Sequence, residues 1–158
     1  VGSLVADVLL GIAVIASWSL LVGATAPRWP ARWLDHDRGP VRLLPGDDPD
    51  RYRALGVRRL KRFFPEMGTV FGGVSKNIPP DLADPASIRA YLVEVRRAEW
   101  VHWLSVLAWL PLPFLQPWWM ALAFLVPTLL VNGAAQIILR YNKVRLCLLL
   151  AALGAAEG

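Results

Sequence analysis

The feature that most restricts this chain is a run of forty residues, 100–139, in which His102 is the only titratable side chain. One straight helix of that length, at about 1.5 Å per residue, would be roughly twice as long as a hydrocarbon core is thick. The run must therefore fold back on itself. Pro111, Pro113 and Pro117 mark the bend, and the adjacent Trp118 and Trp119 belong at a membrane–water boundary. The pattern predicts a helical hairpin over residues 97–139, its second arm running over 118–139.

The remainder of the chain fits the same solvent. Residues 8–26 carry no charge and are followed by Pro27 and Arg28, which predicts a transmembrane helix. A cleaved signal peptide would begin with a positively charged segment, whereas Asp7 stands here. Trp29 and Trp33 alternate with Arg28 and Arg32 as an interfacial anchor. Residues 35–50 are rich in Pro, Gly and Asp and read as loop, without the ligand spacing of a metal site. Residues 51–64 alternate cations with apolar positions and predict one basic amphipathic helix in the headgroup plane. The Gly-rich segment after Pro65 lacks the GK[ST] of a phosphate-binding loop; as an interfacial loop it would bring Lys76 to the surface. Asp84 and Pro85 then supply an N-cap and a first-turn proline for the next helix.

The expected fold is an all-α membrane protein in one domain, with about three transmembrane helices and interfacial amphipathic helices. Its parts are a span over 8–26, a cytoplasmic or interfacial segment over 28–95, the hairpin over 97–139 and an interfacial tail over 140–158. The formal charge is +5, and 14 of the 17 basic residues lie between Arg28 and Arg97. That distribution suits anionic headgroups, and no nucleic-acid motif accompanies it. It also orients a multi-pass protein in the cell membrane with residues 28–97 and the C-terminus in the cytoplasm. Cys147, alone in a Leu-rich run, excludes an intrachain disulfide and reads as packing.

Candidate functional residues gather at the mouth of the hairpin. Glu94, Arg96, Arg97 and Glu99 stand directly before His102. On a helix Arg96, Glu99, His102 and Trp103 share one face, and Glu94 and Arg97 pair beside it. Ionised groups entering an apolar span are costly unless they pair or work. In the second arm Asn132, Gln136 and Arg140 repeat every four residues as a polar stripe. Counting from the bend, Glu99, His102 and Asn132 lie about 20, 15 and 21 Å down their arms. The two polar sets are thus expected to meet at one level.

The residues ExxRAExxHW (Glu94, Arg97, Ala98, Glu99, His102, Trp103) are followed by N-x7-RYN-x2-RL (Asn132, Arg140, Tyr141, Asn142, Arg145, Leu146). This two-part pattern resembles the glycosyl-4,4'-diaponeurosporenoate acyltransferase family. The likeness is good over residues 92–146 and weaker over YRALGVRRLKRFFPEMG and the first span. Leu139 and Val144 stand where the family pattern has glutamine and proline, and Gln136 is not a family position. The resemblance implies transfer of a fatty acyl chain to a hydroxyl of a glycolipid or glycosylated isoprenoid.

Such chemistry needs a base, oxyanion donors and exclusion of water. His102 is the candidate base, with Glu99 to orient it and Glu94 as a further catalytic carboxylate. Asn132 would donate to the oxyanion or hold the acceptor. Arg97, Arg140 and Arg145 would clamp a phosphate or carboxylate, and Arg96, Gln136, Tyr141, Asn142 and Lys76 complete the substrate-binding set. No metal or cofactor is called for; an acyl donor such as acyl-CoA or a lipid is a co-substrate, and membrane lipids and a glycolipid acceptor are the expected partners. With no Ser or Cys beside the histidine, direct transfer is expected. Two other readings compete: an intramembrane Glu/His hydrolase, with or without a metal, and a lipid-binding scaffold whose polar residues only join helices.

Overall fold

A computed structural model of the chain describes residues 4–63 and 81–156, and every regular element among them is helical. The helices are α1 (Leu4–Thr25), α2 (Pro49–Ala54), α3 (Val57–Phe63), α4 (Pro85–Val106), α5 (Leu112–Leu115) and α6 (Trp118–Ala156). The segment containing Lys76 lies outside the described residues.

α1 stops where Pro27 removes a donor, and its last carbonyls are capped locally. Thr25 Oγ1 donates to Leu21 and Val22 at 3.0 Å each, and Arg28 donates to Ala24 at 2.8 Å. α4 starts at the expected cap: Asp84 accepts from the amides of Ala86 and Ser87, both at 2.9 Å, with Pro85 in the first turn. The α4–α6 connection is the expected Pro-rich bend, closed by Trp109 donating to the Ala121 carbonyl at 2.6 Å.

α4 and α6 run antiparallel. His102 meets Asn132, Glu99 meets Gln136 and Lys143, and Ile88, Leu92 and Val95 pack with Leu146, so the partner moves up α6 as one moves down α4. Cys147 is half-buried in that last cluster, a packing position as expected. α1 lies across both helices. Trp18 donates to the Leu104 carbonyl at 2.8 Å, and Gly11 lies so close to α6 that a Cβ there would be 2.3 Å from the Phe124 ring.

Two details differ from the sequence reading. The expected single helix over 51–64 is, among the described residues, two short helices, α2 and α3, because Gly56 adopts φ +76° and ends the first, its amide donating to Arg53 at 3.0 Å. Tyr52 and Val57 nevertheless face α6, packed with Ile138, Tyr141 and Val144. The second difference is that residues 140–156 continue α6 without a break, giving one 39-residue helix. Nothing in RYNKVRL breaks a helix, and Arg140 and Lys143 find partners on the loop and on α4 packed beside it.

α1 and α6 are long and apolar enough to cross a membrane. α4 offers an uninterrupted apolar stretch only from Trp100 onward, so a third span does not stand out as the other two do. Much of the apolar surface is bare: Leu4, Val5, Leu130 and Phe114 are exposed, the last to 90 %. Water would penalise such an outline and lipid would not. The apolar helices point to a membrane location.

Candidate active site

The site is built where α4 and α6 face each other below the bend. His102 Nδ1 lies 3.0 Å from Asn132 Oδ1, and Asn132 Nδ2 donates to the Thr128 carbonyl at 2.9 Å. A carbonyl only accepts, so the amide's NH2 must face Thr128 and its oxygen must face the ring. That oxygen accepts in turn, which places the imidazole proton on Nδ1. Nε2 keeps its lone pair, the state a general base requires. Thr128 is itself tied back to Phe124 at 2.8 Å, so the chain of bonds that sets the tautomer is anchored in α6.

One turn below, Glu99 Oε2 pairs with Lys143 Nζ at 2.6 Å, and neither side chain is exposed. Lys143 also donates to the Val41 carbonyl and lies 3.5 Å from Asp37, which pairs with Arg96 at 2.6 Å. Arg96, Asp37, Lys143 and Glu99 thus form a connected set with equal numbers of each charge. Gln136 Nε2 donates to the Glu99 backbone carbonyl at 2.8 Å. Glu99 Oε1 and Gln136 Oε1 are buried acceptors without a donor among the described residues.

Several cations have structural partners. Arg97 donates to the Pro27 and Trp29 carbonyls at 3.2 and 3.4 Å and pairs with Glu94 at 3.4 Å, the neighbour expected for it. Arg140 pairs with Asp47 at 2.9 Å and donates to Pro40 at 2.6 Å. The Asp47 carboxyl also accepts from the Tyr52 hydroxyl and from the Leu44 amide at 2.7 Å. Burial works to raise its pKa, but these hydrogen bonds and the charges of Arg140 and Lys143 outweigh it and hold the group below the ordinary carboxylate range. Burial and the bond to Asp47 push Tyr52 up to about 12.

The structure therefore joins His102 to Asn132 as the stripe pattern predicts, and gives some neighbours other work. Asn132 orients the imidazole, the task assigned to Glu99 from sequence, while Glu99 is held by Lys143. The Asn132 side-chain amide is committed to Thr128 rather than directed at an oxyanion. Arg96 finds Asp37 instead of Glu99. Tyr141 is buried beneath Lys61 and Arg145, and Asn142 accepts from Lys61 at 2.7 Å. Lys143, Asp37 and Asp47 were not among the sequence candidates. Lys143 stands eleven residues, three helical turns, beyond Asn132 and extends the same stripe; the loop carboxylates leave no such periodic trace.

A family model described as glycosyl-4,4'-diaponeurosporenoate acyltransferase matches residues 30–152, which include Glu99, His102, Asn132, Gln136 and Lys143. No curated protein and no solved structure matches the chain. The matched region runs from Pro30, just after the first interfacial tryptophan, through most of α6, and the chain belongs to the glycosyl-4,4'-diaponeurosporenoate acyltransferase family and is an acyltransferase.

Proposed function

We propose that His102 is the general base of a membrane-embedded O-acyl transfer, moving a fatty acyl chain to a hydroxyl of a glycolipid or glycosylated isoprenoid. The observation that carries this reading is the His102–Asn132–Thr128 chain of contacts, which assigns the ring proton to Nδ1 and so leaves Nε2 free to accept one. In the step itself, Nε2 removes the hydroxyl proton as the oxygen attacks the acyl carbonyl. The new C–O ester bond forms, the bond to the donor's leaving group breaks, and the imidazolium returns its proton to that group.

The unpartnered Glu99 Oε1 and Gln136 Oε1 support a polyhydroxylated acceptor. Buried acceptors are costly without donors, and sugar hydroxyls bring donors. Glu99 held by Lys143 favours transfer over the Glu/His hydrolase, which would need that carboxylate for a water or metal. The acyl donor, as acyl-CoA or a lipid, and placement of residues 28–97 and the C-terminus in the cytoplasm remain part of the proposal, the latter supported by the positive-inside bias. The test is acyl transfer by purified protein in lipid nanodiscs, with radiolabelled donor and a glycosylated acceptor. His102→Ala should insert and fold normally and transfer nothing; unchanged turnover would remove the imidazole from the mechanism.

A further inference from the structure

A second polar feature lies apart from the imidazole. α2, α3 and α6 enclose a surface pocket of about 520 Å³ lined by Arg53, Arg58, Lys61, Tyr141 and Arg145. It lies about 20 Å further along α6 than Asn132, judged by the rise to Arg145, and thirteen residues of helical turn place it on another side of the helix. Among the described residues, Arg58 and Arg145 meet no carboxylate in the pocket wall. Arg53 pairs outside it with exposed Asp50 at 2.5 Å. Lys61 donates to Asn142 and, with Arg145, covers the Tyr141 ring at 5.1 and 5.4 Å.

The contrast with the rest of the motif is instructive. Arg96, Arg140 and Lys143 each bind a carboxylate, and Arg97 binds Glu94 together with two carbonyls. Around the pocket, Arg58 and Arg145 have no such partner among the described residues, and both are exposed. Like charges gathered on a concave surface repel one another unless an anion sits between them. Buried Tyr141 fixes the floor, with Arg145 one turn further along the same helix, and the α2–α3 turn at Gly56 aims Arg53 and Arg58 at the same space. Guanidinium forks match phosphate oxygens bidentately, and ammonium adds a point charge.

We propose that this pocket is a phosphate-binding site, taking either the phosphates of a nucleotide-bearing acyl donor or an anionic phospholipid headgroup. The site does not depend on the transfer chemistry assigned to His102. Its test uses the full chain in phosphatidylcholine nanodiscs, titrated separately with adenosine 3',5'-bisphosphate and with phosphatidylglycerol, and followed by intrinsic tryptophan fluorescence and calorimetry. Saturable one-to-one binding of a probe is expected, weakened about tenfold or more by R58Q/R145Q, each lost charge-assisted bond being worth that order. R38Q/R89Q, which removes the same charge from exposed positions elsewhere, should change affinity by less than about twofold. Saturation by the bisphosphate alone assigns a soluble donor's phosphates; saturation by phosphatidylglycerol alone assigns the headgroup. Equal weakening in both double variants would show diffuse surface charge and overturn the proposal, as would failure of both probes to bind saturably. His102→Ala should bind as the wild type does, so failure of the catalytic reading is separable from failure of this one.

Discussion

Glu99 on α4 and Lys143 on α6 form an ion pair at 2.6 Å in which neither side chain reaches solvent. Two desolvated charges stabilise little relative to a well-packed apolar pair, but losing one partner strands the other. Lys143→Met would leave the Glu99 carboxylate buried and remove the donor to Val41. It should cost about 3–5 kcal/mol of stability. Glu99→Leu combined with Lys143→Met should recover most of that loss. Thermal unfolding in mild detergent measures both, and a double variant no more stable than the single one would show that the two side chains are not coupled.

The His102–Asn132 contact predicts a different signature. Asn132→Leu keeps the apolar packing but frees the imidazole to rotate and to exchange tautomers. Because general-base catalysis contributes about 10²–10⁴-fold, turnover should fall by about a hundredfold. KM for the acceptor should change little and the unfolding midpoint only modestly, since the loss is in positioning. A variant whose KM rises while kcat holds would instead place Asn132 in acceptor binding.

How these contacts relate to the sequence depends on where the partner lies. The hairpin, the Asp84 cap and the meeting of His102 with Asn132 follow from apolar length, cap chemistry and helical period, all local signals. Lys143 was also within reach of the period, since the stripe of Asn132 and Gln136 returns to it; a cluster of cations at a helix exit more commonly means a headgroup anchor. Asp37 and Asp47 were not legible. Their partners Arg96 and Arg140 are 59 and 93 positions away, and a Pro/Gly-rich loop carries no period that would say which helix it will neutralise. The break at Gly56 was hidden for a related reason: the apolar spacing of residues 51–64 continues through it, and only the backbone shows φ +76°.

The Asp47–Tyr52–Arg140 cluster makes stability depend on pH at both extremes. Asp47 is held below its ordinary value in the folded protein, so its contribution is present above the unfolded carboxylate pKa. It is lost as pH falls through the lowered folded value. Tyr52 is shifted the other way, from 10.0 to about 12. Its contribution is complete below pH 10 and disappears as pH rises through about 12. The unfolding midpoint followed against pH should therefore fall on both flanks. Asp47→Asn should flatten the acid flank and Tyr52→Phe the alkaline one; a variant retaining the wild-type flank would assign that pH dependence to other groups.

Gly56 tests whether the α2–α3 turn holds the packed face against α6. Its φ of +76° is a left-handed conformation, and a Cβ there would meet nothing within 4 Å. The cost of Gly56→Ala is then one of backbone alone, about 1–2 kcal/mol. The residue lies between Tyr52 and Val57, which both pack on α6 with Ile138 and Tyr141. Straightening the two short helices into one would turn these side chains away from that cluster. Hydrogen exchange in nanodiscs should show faster exchange over residues 49–63 in the variant and unchanged protection around Asn132. Faster exchange throughout α6 would mean that the turn supports the imidazole site as well, and the two packed units would have to be treated as one.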